Sequence, residues 1–316
     1  MIGIDDISAA RQRIAGHVRR TPVMALDHLK DPPPVAAAVT LKLECLQVTG
    51  SFKARGAMNR LLATPREALA GGIVTASGGN HGLAVARAAH AAGVPATIFL
   101  PANVSPAKLA KLKRWGAATV IAGAAFDEAN AAALAHVEAT GGLYVHPFAD
   151  PLVVAGQGTL GLEILEDMAD VDTILVAIGG GGLVAGLSAA VKARRPEVRV
   201  IGIEPEGSPT LKACLDAGRL VALEAVTTRV PTMACRQTTE AVFQAVRAGV
   251  DEIVLVSDDD MQRAAEWLWF ETGIAADLSG AAAAAVLRAG HPVLAGAGRI
   301  CALACGAGPE GVIGQQ

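Results

Sequence analysis

The 316-residue chain contains no run of five or six basic residues, and its formal net charge is −3. A nucleic-acid binder would carry a basic stripe, so that class is excluded. Outside glycine- and alanine-rich stretches there is no run of about 18 uncharged apolar residues, which leaves no candidate membrane helix. The most membrane-like segment, TILVAIGGGGLVAGLSAAV, reads instead as a buried strand, a glycine loop and a helix. The first residues, MIGIDDISAARQRIAGHVRR, have no apolar core and carry acids early, unlike a secretory leader. The five cysteines (Cys45, Cys214, Cys235, Cys301 and Cys305) show no CxxC spacing, so free thiols in a reducing cytoplasm are expected. Cys301 and Cys305 lie four apart with no histidine nearby and read as strand residues, not zinc ligands. There is no internal repeat. Only 18% of residues are charged and 52% are hydrophobic, which allows a large core arranged as two lobes.

Short β-branched runs alternate with alanine-rich helical runs. Strands are predicted at 40–44, 72–76, 96–100, 118–122, 173–178, 198–204, 252–257 and 299–305. Several are apolar without alternation, as suits parallel strands covered on both faces. Helices are predicted at 80–92, 105–115, 126–140, 183–194 and 258–271, the last with Ser257 as N-cap and Asp258 to Asp260 in its first turn. This succession predicts an open α/β sheet.

Three strand-to-helix junctions are rich in glycine: TASGGNHG (75–82), AIGGGGL (177–183) and CGAGPEG (305–311). Ligands of open α/β sheets bind outside the carboxyl ends of strands, where such turns lie. Gly179, Gly180, Gly181 and Gly182 in succession would cost about 0.5–1 kcal/mol each relative to alanine, too much for a plain turn. Their backbone N–H groups suit an anion at a helix N-terminus. No Lys-Ser or Lys-Thr follows, so the loop is not of the ATP-binding P-loop type. Lys53, in VTGSFKARGA, follows an apolar strand; a lysine becomes nucleophilic when burial lowers its pKa. A phosphate cradle together with such a lysine suggests a phosphorylated aldehyde held as a Schiff base.

LKLECLQVTGSFKARGAMNRL, TASGGNHGLAVARAA, ATIFLPANVSPAKLAKLKRWGA, HPFADPLVVAGQGTLGLEIL, DTILVAIGGGGLVAGLSAA and VIGIEPEGSPTL together resemble the fold-type-II pyridoxal phosphate enzymes, specifically the serine/threonine dehydratase and serine racemase group. The resemblance runs from about residue 20 to the C-terminus. It implies the two-lobed open α/β fold of the tryptophan synthase β-subunit-like enzymes. Residues 1–71 and 148–316 would form a large cofactor-binding domain and 72–147 a small mobile one. It implies that Lys53 carries pyridoxal 5′-phosphate and serves as base at the substrate Cα, with Phe52 beside the cofactor. Asn80 would bond the 3′-oxygen. Gly179, Gly180, Gly181, Gly182 and Leu183 would cradle the phosphate. Cys305 would face the pyridine nitrogen. Ser77, Gly78, Asn80 and His81 would receive the substrate carboxylate, and Gln157, in a GQGT stretch at a helix start, would reach the pocket.

A thiol at the pyridine nitrogen makes the ring a weaker electron sink, which favours β-elimination. Gly78 stands where racemases of this group carry a second serine, and four glycines replace the Gly-Thr-Gly-Gly loop of cysteine synthases. The group's divalent-cation site is matched by Glu204 and the Ser208 carbonyl, but Thr210 replaces the acid, so a cation there is doubtful. TMACRQTTEAVF (232–243) departs from the usual loop, and Arg236 within it is a candidate partner for a second substrate carboxylate. Asp277-Leu278 replaces the commoner Glu-Pro or Glu-Gly. No appended regulatory domain is expected.

The expected function is dehydration and deamination of a β-hydroxy amino acid to a 2-oxo acid and ammonia, with threonine or serine first. Hydroxyaspartate or phenylserine, an amino-acid racemase and a catalytically silent binding protein are the alternatives. The expected setting is a cytoplasmic homodimer acting on a small amino acid.

Overall fold

The structure, a computed structural model, describes residues 2–312 except Asn103, Ser105 and Ala125. Its chain order is α1 (Ile4–Ile14), β1 (Val23–Ala25), β2 (Ala38–Lys42), α2 (Lys53–Leu62), β3 (Ile73–Ala76), α3 (Asn80–Ala92), β4 (Ala96–Leu100), α4 (Pro106–Arg114), β5 (Ala118–Ile121), α5 (Phe126–Thr140) and β6 (Leu143–Tyr144). Then follow α6 (Pro151–Asp167), β7 (Thr173–Ala177), α7 (Gly182–Arg194), β8 (Arg199–Pro205), α8 (Thr210–Ala217), α9 (Glu240–Gly249), β9 (Glu252–Val256), α10 (Asp258–Thr272), α11 (Leu278–Arg288) and β10 (Arg299–Leu303). Ser105, the first residue of a predicted helix, lies outside the described residues.

Two sheets result. One has six strands in the order β1-β2-β10-β7-β8-β9, parallel except for β1. The other has four parallel strands in the order β5-β4-β3-β6, all drawn from residues 73–144. Every residue of β7, Thr-Ile-Leu-Val-Ala, is buried, because helices cover both faces of a parallel sheet. Helix α6 packs on α2 and α7. Its glycines permit this: a Cβ on Gly158 would lie 2.8 Å from the Gly186 carbonyl, and one on Gly156 2.7 Å from Gly56 Cα. Ser257 caps α10 by accepting from Asp260 N at 3.0 Å, as its sequence predicts.

Three readings are corrected. Cys305 lies beyond β10, which ends at Leu303, in a bend where Gly306 bridges to Ser51. The GQGT stretch sits inside α6, not at its start. Strand β2 stops at Lys42, and Glu44 begins a single 3₁₀ turn.

Beneath α2 lies a buried ion cluster. The Arg55 guanidinium donates to both oxygens of Glu44 (2.9 and 2.7 Å) and both of Glu163 (2.7 and 2.9 Å). Lys42 Nζ donates to the Thr21 carbonyl and to Asp167, each at 2.7 Å, and lies 3.2 Å from Glu163. Arg55, Lys42 and Glu44 have no exposed surface. Opposite charges at hydrogen-bond range offset their lost hydration, but only while every partner is present. Arg55→Leu should therefore destabilise the protein by about 3–5 kcal/mol in urea unfolding. Arg55→Lys, which cannot fork onto two carboxylates, should fall between. A loss under about 1 kcal/mol for the leucine variant would remove the cluster from the account.

Candidate active site

Lys53 opens α2, directly after the Val48–Phe52 segment. Its Nζ donates to the Pro147 carbonyl at 2.7 Å and lies 5.1 Å from the centre of the Phe52 ring. Desolvation lowers the amine pKa to about 8, against a smaller upward pull from Cys305 and Cys235. The lysine singled out in the sequence is thus a half-buried, weakened ammonium and not a solvated one.

The asparagine turn follows β3. Helix α3 starts at Asn80 behind Gly79, so the N–H groups of its first turn have no partners within the helix and face an incoming anion with the positive end of the dipole. Ser77 Oγ accepts from Gly79 N at 3.3 Å. Gly78 is bordered by Val104 and Leu100: a Cβ there would lie 3.0 and 3.3 Å from their methyls. His81 is buried, with Nε2 2.9 Å from the Val145 carbonyl. Burial, with the Lys53 charge adding, lowers its pKa to about 3, so the ring is neutral. Its Nε2–H is donated to Val145, and Nδ1 is left a buried lone pair without a partner. The imidazole therefore offers an anion no donor; the backbone of the turn does.

Asn80 Nδ2 donates to Asp277 Oδ2 at 2.9 Å. The other Asp277 oxygen accepts from Gly280 N (2.7 Å) and Ser279 Oγ (2.6 Å), capping α11. The Cys305 thiol points at Ser279 Oγ, 3.8 Å away. It is buried, and desolvation pushes its pKa far above the usual thiol range, so it stays a neutral SH. The structure thus brings Asn80 and Cys305 together through Asp277 and Ser279. Asp277 had drawn notice only as a departure, and Ser279 had drawn none.

The glycine loop crosses from β7 to α7. Gly181 has φ +92°, a conformation that side chains rarely adopt. A Cβ on Gly180 would lie 2.2–2.4 Å from the Phe148 ring, and one on Gly182 2.6 Å from the Phe148 carbonyl. Phe148 is pressed onto the loop from behind, and the first-turn N–H groups of α7, Leu183 among them, have no partners within the helix. Thr238 Oγ1 donates to the Gly180 carbonyl at 3.0 Å, fixing the loop from its other side. Among the described residues, Thr49 Oγ1, Ser51 Oγ and Thr239 Oγ1 are buried without hydrogen-bond partners. Thr49 also holds a positive φ of 66°. A cradle that admits no Cβ, a desolvated lysine and stranded hydroxyls beside it suit an aldehyde with a phosphate tail.

The remaining candidates have protein partners of their own. Gln157 is buried with Oε1 3.2 Å from Gly56 N, so its amide joins α6 to α2. Arg236 is exposed, its Nε donating to the Leu223 carbonyl at 3.0 Å. Glu204 is buried and caps α8, accepting from Leu211 N (2.8 Å) and Lys212 N (2.9 Å). The Thr210 hydroxyl is taken by the Cys235 carbonyl at 2.5 Å. Among the described residues no three His, Cys, Asp or Glu side chains are grouped to hold a metal ion. Arg55 and Pro147 went unnoticed in the sequence, because neither a buried ion pair nor a backbone acceptor leaves a motif.

Residues 14–306 match the family described as pyridoxal-phosphate dependent enzyme. An L-threonine ammonia-lyase of Geobacter sulfurreducens is 41% identical over 281 residues, 89% of this chain and 69% of that protein. A phenylserine dehydratase of Ralstonia pickettii is 36% identical over 304 residues, covering 95% and 91%. The solved structure of maize serine racemase superposes with a TM-score of 0.90 at 31% identity, covering 96% of this chain and 93% of that one.

Two expectations follow. Gly180→Ala drives a methyl into Phe148 and should weaken cofactor binding at least about tenfold, read by titrating visible absorbance; unchanged affinity would mean the loop is no cradle. Glu204 has its pKa raised to about 7 by burial, against three backbone N–H donors. Folding then takes up a proton between about pH 4.5 and 7, so stability falls as pH rises through that window. The stability advantage of wild type over Glu204→Gln should shrink from pH 5 to pH 7.5 by about 1–3 kcal/mol. A constant difference would show that the carboxylate is already ionised at pH 5.

Proposed function

The chain belongs to the pyridoxal-phosphate dependent enzyme family, and from that premise we propose that it removes water and then ammonia from a β-hydroxy amino acid, leaving a 2-oxo acid. It is a pyridoxal-phosphate-dependent ammonia-lyase of the threonine dehydratase type. The bound cofactor supplies the electron sink for the bond broken at the substrate Cα. The protein supplies position, proton transfer and exclusion of water.

The observation that carries this reading is the neutral surroundings of the Lys53 amine. With a pKa near 8, it can accept the Cα proton near neutral pH. The groups that sense its charge are two thiols and two imidazoles: Cys235, Cys305, His81 and His146. A neutral thiol at Cys305 cannot hold a ring nitrogen protonated as a carboxylate would, so electrons released at Cα are better discharged by expelling the β-hydroxyl. Asn80, fixed by Asp277, is set to bond the cofactor's 3′-oxygen, and the α3 N-terminus to hold the substrate carboxylate. Gly78 has no side chain to carry a second proton, which counts against racemisation.

We assign the cofactor's covalent attachment to Lys53 and its phosphate to the Gly179–Leu183 backbone. Phe52 lies beside the amine and is assigned to the cofactor's ring. We assign 1–71 with 148–316 to a cofactor lobe and 72–147 to a smaller lobe that closes over substrate. Threonine and serine are the first substrates to consider, with phenylserine close behind. We further propose a homodimer working in the cytoplasm. In support, all five cysteines are free and buried. No described helix is long and apolar enough to cross a membrane.

The test is release of 2-oxo acid and ammonia from serine, threonine, allo-threonine, hydroxyaspartate and phenylserine isomers. At least one should yield both products in equal amounts, and Lys53→Ala should lose both the visible absorbance and the turnover. A D-amino acid formed without ammonia would replace the lyase with a racemase. Full turnover by the alanine variant would remove Lys53 from the chemistry.

A further inference from the structure

Between β6 and α6 the chain runs Val145-His146-Pro147-Phe148-Ala149-Asp150. We propose that His146 is a positioning residue: it folds this connection so that the Pro147 carbonyl captures the Lys53 amine whenever that amine is free of cofactor. The proposal rests on the reading of Lys53 as the point of cofactor attachment.

His146 Nδ1 accepts from Phe148 N at 3.2 Å and from Ala149 N at 3.0 Å. One ring nitrogen thereby closes a turn of the kind that Asn and Asp side chains make. Accepting two N–H groups requires an unprotonated Nδ1. Burial, with the Lys53 charge adding, lowers the ring's pKa to about 4, against a weaker upward pull from Asp150. The imidazole is therefore neutral, and its inner nitrogen is already used. It cannot also serve as a proton donor or acceptor for substrate through that atom.

The turn sets two neighbours. The Pro147 carbonyl lies 2.7 Å from Lys53 Nζ. The Phe148 ring meets His146 edge to face at 4.6 Å and fills the space where side chains on Gly180 and Gly182 would go. One side chain thus sets the acceptor for the amine and the backing of the glycine loop. The choice of a carbonyl matters. It holds an N–H but takes no proton, so a neutral amine kept there retains its lone pair for Cα or for the returning aldehyde. A carboxylate in its place would raise the amine's pKa and hold it as the ammonium, leaving no free lone pair.

The test strips the cofactor from the enzyme, returns pyridoxal phosphate and follows the first-order recovery of visible absorbance, beside kcat and KM. In His146→Ala the recovery and kcat should both fall about tenfold through lost orientation, with KM within about twofold. His146→Asn carries Oδ1 at the same place along the side chain as Nδ1, and should restore both rates to within about threefold of wild type. Wild-type rates in His146→Ala overturn the proposal, as does an asparagine variant as slow as the alanine one, which would give the ring itself the essential role. If the alanine variant does not fold, the asparagine variant decides alone: near-wild-type rates uphold the proposal and a tenfold deficit overturns it. Failure of wild type to regain absorbance would instead sink the assignment of Lys53.

Discussion

The position of Lys53 depends on a guanidinium two residues further on. Arg55 cannot shift without stranding Glu44, in the 3₁₀ turn after β2, and Glu163 on α6, because it bonds both oxygens of each. In water such pairs are worth little; without water a broken one leaves a bare charge. The cluster therefore specifies one register of α2 against α6 and excludes its neighbours. Glycine contacts sharpen that choice. Gly56 and Gly156 bring the two helices so close that a Cβ on Gly56 would lie 2.5 Å from Gln157 Nε2. Lys53 projects from the first turn of a helix whose height and rotation are thus both set.

Around the amine the logic reverses. Beneath α2 charges are paired, whereas beside Lys53 burial keeps the groups neutral: Cys235 has its pKa raised to about 11, and His146 and His81 have theirs lowered. The Asp277 carboxylate is spent on Asn80, Ser279 and Gly280. A site lined by neutral dipoles and helix N-termini leaves the ligand's own phosphate and carboxylate as its principal charges. On the proposed assignments both would meet N–H groups that need no side chain to reorganise.

What the sequence disclosed follows from how each feature is encoded. The parallel strands were legible because burial on both faces requires unbroken apolar runs, as in Thr173–Ala177. The glycine loop was legible because close backbone approach excludes every other residue type. Edge strand β1 and two-residue β6 escaped notice because such short pairings impose little pattern on the sequence. Gln157 was assigned to the pocket from its place in a motif, but its partner, Gly56 N, lies 101 residues away along the chain. The Arg55 cluster was invisible for the same reason: Glu44 and Glu163 flank it from 11 and 108 residues away. Sequence shows local necessity, whereas pairing across the fold becomes visible only once the strands are ordered.

The chain crosses between the two sheets twice, after α2 and before α6, and these crossings are clamped together. Arg60 Nε donates to Asp150 Oδ2 at 2.6 Å, and Asp150 also caps α6 through Leu152 N at 2.8 Å. Along the chain Lys53 precedes this clamp and Pro147 lies between β6 and it, so the clamp ties together the two connections that carry the amine and its acceptor. Asn80 lies in the same segment as Pro147, and its bond to Asp277 likewise joins that segment to the C-terminal part of the chain. A shift of the four-stranded sheet about these connections would therefore strain both the Asn80–Asp277 and the Lys53–Pro147 bonds, because each joins that segment to the rest of the chain. The two contacts are thus coupled through the same pair of connections, and the Arg60–Asp150 clamp limits how far either can open alone.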